Sequence, residues 1–100
     1  MRLKQGVKVT GIRPEALIGM MVAQAVCVEL GYEFVVTSVR EGQHSAKSKH
    51  YEGLAFDMRT KHMPADQIPS VRALIAGRLG ADYDVVIEPT HIHCEYDPKG

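Results

Sequence analysis

The sequence predicts an α+β domain, with a mainly antiparallel sheet of about four strands and two helices packed on one side of it. Two segments carry apolar residues at helical spacing, each followed by a glycine stop. Four short segments are rich in β-branched residues or alternate in polarity. The resulting order is helix, strand, loop, strand, helix, strand, strand. One hundred residues leave room for one modest core, so residues 1–100 are read as a single domain.

Pro14 at a first helical position, Glu15 in the first turn and Gly31 past the end frame a helix of about four to five turns. Leu17, Met21, Ala25 and Val28, widened by Ile18, Val22 and Val26, form the stripe expected to cover the core. Glu33 to Arg40 is a β-branched strand, and the polar run Glu41 to Lys49 is a loop. Leu54 to Arg59 alternates, which puts Leu54, Phe56 and Met58 on one face and Ala55, Asp57 and Arg59 on the other. A second helix runs from about Ala65 to Leu79 on Val71, Leu74, Ile75 and Leu79, with Pro69 shortening or kinking its start and Gly80 ending it. Asp84 to Glu88 and His91 to Tyr96 are the last two strands, joined at Pro89-Thr90 by a tight turn or a bulge.

Twelve basic residues balance twelve acidic ones, so bulk charge draws the chain to neither nucleic acid nor an anionic membrane. The longest apolar run, Ala16 to Leu30, is interrupted by Gln24 and Glu29 and is too short for a bilayer. No small-residue cleavage site follows it, so the expected location as synthesised is the cytoplasm. Cys27 and Cys94 form no C-x-x-C pair, which excludes a cysteine-type zinc knuckle.

Chemistry concentrates at the histidines. His50 closes the polar loop, and Asp57 follows in the next strand on the face away from the helices. His91 and His93 are two apart in a strand and share a face, while Ile92, Cys94 and Tyr96 point into the core. Two imidazoles and a carboxylate can hold zinc with one position open, the catalytic type of site. His44 and His62 read as loop or surface residues.

Ser48-Lys49-His50-Tyr51-Glu52-Gly53-Leu54-Ala55-Phe56-Asp57 matches the pattern S-x-H-x-x-G-x-A-x-D, and His91-Ile92-His93 supplies an H-x-H element after it. On these motifs the stretch from about Thr37 to Asp97 resembles the zinc D-Ala-D-Ala carboxypeptidase and dipeptidase family and the related hedgehog domain. It is similar, too, to small phage and prophage proteins. The resemblance implies a hedgehog/DD-peptidase-like fold, zinc held by His50, Asp57 and His93, and a peptidoglycan peptide as substrate. It implies substrate-binding roles for Arg40 and Ser48, Arg40 gripping a carboxylate through its planar fork. A surface arginine ending a strand is the alternative for Arg40. Gly53 reads as a turn residue admitting the strand behind His50.

A peptidase also needs a proton acceptor. The family places a carboxylate three residues before the last ligand, where this chain has Thr90. Glu88 is therefore the expected base, swung inward at the Pro89-Thr90 turn, with His91 as helper or substitute; a structural carboxylate solvated at a strand end is the alternative for Glu88. The expected activity is zinc-dependent hydrolysis of an amide next to D-alanine, with the cell wall reached by phage lysis. A zinc-stabilised binding module without turnover, or a phage structural component retaining the site, is the alternative.

Overall fold

In the computed structural model, which describes residues 1–39, 49–50 and 52–98, the elements follow from local chemistry. They are β1 (Arg2–Leu3), α1 (Pro14–Leu30), β2 (Val35–Ser38), β3 (Ala55–Arg59), a 3-10 turn (Ala65–Gln67), α2 (Ile68–Leu79), β4 (Tyr83–Ile87) and β5 (His91–Tyr96). Helix α1 starts with Pro14, whose missing N–H costs nothing there. It ends at Gly31 in the left-handed region, φ 80°, and the Tyr32 N–H donates back to the Cys27 carbonyl at 2.8 Å. Pro69 occupies the first turn of α2, which explains why the segment from Ala65 tightens into a 3-10 turn before the α-helix begins.

The sheet has five strands in the order β1-β2-β3-β5-β4, and it is mixed. Strands β2, β3, β5 and β4 pair antiparallel, as expected, but β1 adds a parallel edge to β2. Arg2 N–H donates to the Phe34 carbonyl and Lys4 N–H to the Val36 carbonyl, with an Arg2–Glu33 ion pair at 3.3 Å alongside. Two residues are too short to show any polarity alternation, so this strand left no pattern in the sequence.

The core lies between the helices and one face of the sheet. Phe56 and Met58 of β3 and Ile92 and Cys94 of β5 are fully buried against Met20, Val26, Val71 and Ile75. Phe34 meets Phe56 edge-on, ring centroids 6.1 Å apart. The stripe expected on α1 is corrected here. Leu17, Ile18, Met21, Ala25 and Val28 are exposed, and Ala16, Gly19, Met20, Ala23, Val26 and Cys27 face the core. Alpha1 is apolar nearly all round, so periodicity selects no face; size does. A Cβ at Gly19 would meet Phe56 at 3.1 Å, and only the small-residue face lets the helix approach the sheet so closely. Leu74 of α2 is likewise exposed, whereas Val71 and Ile75 are buried. Among the described residues, no helix is long and apolar enough to cross a membrane.

Candidate metal centre

The alternation of β3 and β5 that buries Phe56, Met58, Ile92 and Cys94 turns Asp57, Arg59, His91, His93 and Glu95 to the opposite face. Pairing of the two strands then sets Asp57 beside His93 and Arg59 beside His91. His50 arrives from the turn that precedes β3. Gly53 N–H donates to the His50 carbonyl at 3.0 Å and Leu54 N–H to that of Lys49 at 2.9 Å. Gly53 makes this turn possible, because its φ of 75° suits glycine and a Cβ there would collide with the Gly11 carbonyl.

Three atoms converge. His50 Nε2 lies 3.1 Å from Asp57 Oδ1, His93 Nδ1 lies 3.0 Å from the same oxygen, and the two nitrogens are 3.2 Å apart. His50 and Asp57 are buried and His93 is partly so. A tetrahedral zinc ion at its usual bond lengths holds its ligand atoms about 3.3–3.4 Å apart, so a few tenths of an ångström of opening would seat one.

The outer hydrogen bonds fix which lone pairs face inward. The other nitrogen of His50, Nδ1, donates to the Val39 carbonyl. His93 Nε2 donates to Glu95 Oε1 at 2.7 Å. With those two N–H groups committed outward, both neutral rings aim a lone pair at the point that Asp57 Oδ1 also faces. Three electron-rich atoms at this spacing need a cation among them, either a proton or a metal ion. The hydrogen bond to Asp57 holds the His93 pKa above its ordinary value against the opposing effect of burial, and Glu95 adds to the rise. Burial alone would push Asp57 up, but hydrogen bonds from His50 and His93, with the nearby charge of His50 and His91, hold it well below the usual carboxylate range.

His91 sits at the edge of this group, Nε2 3.7 Å from Asp57 Oδ2, with Thr90 Oγ1 3.1 Å from its Nδ1. Thr37 Oγ1 donates to the Asp57 backbone carbonyl at 3.4 Å. Glu88 needs no bulge to reach this side of the sheet. Ile87 pairs with Ile92 and the Glu88 N–H donates to the His91 carbonyl at 2.8 Å, so strand alternation already turns Glu88 the way His91 faces. Its side chain is exposed. Arg40, Ser48 and His44 lie outside the described residues. His62 is at the surface against the Glu33 carbonyl, as its position in the sequence suggested. The Cys94 thiol is buried on the core side and pushed up to about 12, so it stays protonated and is no ligand.

Glu95 is the residue that sequence reasoning missed. It continues the alternation that singled out His91 and His93, and the same two-residue step points to it. Compared with protein-family models the chain matches none, and compared with curated proteins it likewise matches none.

Proposed function

We propose that the chain is a zinc metallopeptidase that hydrolyses amide bonds in peptidoglycan peptides, next to D-alanine. The observation that carries the reading is the inward convergence of His50 Nε2, Asp57 Oδ1 and His93 Nδ1 with both ring tautomers fixed from outside. Two imidazoles and one carboxylate are a donor set suited to zinc, and three protein ligands leave a coordination position open. The peptide substrate comes from the S-x-H-x-x-G-x-A-x-D and H-x-H motifs.

A zinc ion held there supplies Lewis acidity toward an amide carbonyl and acidifies water at the open position. The chain's own residues do the rest. The Val39 carbonyl and the Glu95 carboxylate orient the His50 and His93 rings. His91, 3.7 Å from Asp57, is the proposed hydrogen-bond donor to an oxyanion. Glu88 is the proposed proton acceptor, and Arg40 and Ser48 are proposed to position the peptide.

The test is metal analysis of the wild type and His93→Ala, run beside a digest of purified cell wall and D-Ala-D-Ala peptides. The reading expects about one zinc per chain and amide cleavage in the wild type, and neither in the variant. Stoichiometric zinc with every substrate intact across the pH range rejects the enzyme. A zinc-stabilised binding module is the second reading, favoured by Thr90 at the usual base position and the exposed side chain of Glu88. Glu88→Gln separates the two, abolishing turnover with zinc retained in the first case and changing nothing measurable in the second.

A further inference from the structure

Beside the cluster, at the His91 end of the same face, lies a cleft of about 210 Å³ lined by Lys4, Thr37, Arg59, Lys61, Thr90 and His91. At the roughly 30 Å³ that a water molecule occupies, it holds about seven waters, room for a small charged group with part of its solvation. Among the described residues its lining contains three fixed positive charges, an imidazole and two hydroxyls, and no carboxylate. Lys4, Arg59 and Lys61 form no ion pair among the described residues. The chain as a whole is electrically neutral, so this grouping is local. Three like charges around one cleft repel each other, and an anion between them removes that repulsion. The far end of the face is the opposite in sign, gathering Asp84, Glu95 and Asp97.

We propose that this cleft is an oxyanion-binding subsite, with Arg59 and Lys61 as its principal cations and the Thr37 and Thr90 hydroxyls as neutral donors. Arg59 offers a planar fork that matches carboxylate or phosphate through paired hydrogen bonds, and the lysines add point charge. His91 joins the subsite to the cluster, since it lines the cleft and stands 3.7 Å from Asp57. A molecule bound across both therefore carries its negative group one side chain away from the atoms over the metal ligands. That second step rests on the peptidase reading; the anion subsite itself does not.

The test is titration of the full chain with sulfate and, separately, with acetate, followed by amide NMR shifts, in the wild type, in Arg59→Gln/Lys61→Gln and in the exposed single variant Lys61→Glu. The expected result is saturable shifts at Arg59, Lys61 and His91 that weaken as salt is raised. Binding should fall roughly tenfold or more in the double variant, as expected for losing charge-assisted hydrogen bonds, and should also fall in Lys61→Glu. Tighter binding of sulfate would identify a phosphate-like ligand, and tighter binding of acetate a carboxylate. Unsaturable shifts spread over the surface, or equal binding in the variants, overturn the subsite. Zinc content is measured on the same samples. Anion binding without zinc rejects the peptidase reading and keeps the subsite, whereas zinc without anion binding does the reverse.

Discussion

The two faces of the β3–β5 pair are made by the same eleven residues and do opposite things. On one, Phe56, Met58, Ile92 and Cys94 exclude water and join the helices. On the other, Asp57, His91, His93 and Glu95 meet through hydrogen bonds and charge. A strand's two-residue repeat ties the faces together, so a one-residue slip would bury the imidazoles and expose the core. The lesson is that the fold and the candidate metal centre are set by one register and fail in different ways.

The largest effect should come from the core face. Phe56→Ala leaves a cavity under both helices, and about 3–5 kcal/mol of stability should be lost in denaturant unfolding, a large share of what a domain this size has. On the polar face, Glu95→Gln keeps the shape but weakens the hydrogen bond that fixes the His93 tautomer. Zinc affinity should fall about 10- to 100-fold with the unfolding midpoint of the chelator-treated protein little changed.

Acidity separates the faces further. In chelator-treated protein the His93 pKa is raised on folding, so its stabilisation is fully present below about 6.5 and is lost as pH climbs through the raised value. If zinc binds at the proposed centre it must displace that proton, so the stability it adds should grow with pH over the same window. Unfolding midpoints with zinc and with chelator should therefore diverge as pH rises above about 6.5. Parallel curves would mean that no metal displaces the proton. The smallest effect belongs to the outer side of α1. Met21→Lys should shift stability by no more than about 0.5 kcal/mol, whereas the same change at the buried Met20 should be severe.

That last pair marks where the sequence was not readable, and the strands mark where it was. Alternation in Leu54 to Arg59 and in His91 to Tyr96 sorted each side chain to its observed face, because a strand in a one-sided sheet admits only two answers. The choice of His50, Asp57 and His93 came instead from the motif resemblance, because alternation neither separates His93 from His91 nor places His50, which stands in a turn. Alpha1 offered no such choice, since its apolar residues surround it and close approach at Gly19 decides the matter. Strand β1 is held by backbone bonds to Phe34 and Val36, which side-chain patterns do not record. The cleft draws Lys4 and Thr37 from parts of the chain far from Arg59 and Lys61, so only the folded arrangement brings it together.

The turn carrying His50 hangs from the beginning of α1 as well as from the sheet, because the Gly53 carbonyl accepts the Arg13 N–H at 2.9 Å and Gly53 packs on Gly11. Of the three side chains, then, two stand on strands and one on a turn tied to the residues just before α1. Residues 11–13 act as a bracket whose alignment sets where that imidazole sits. Lengthening this bracket by a residue should weaken metal binding at the candidate centre while leaving the strands' own pairing undisturbed.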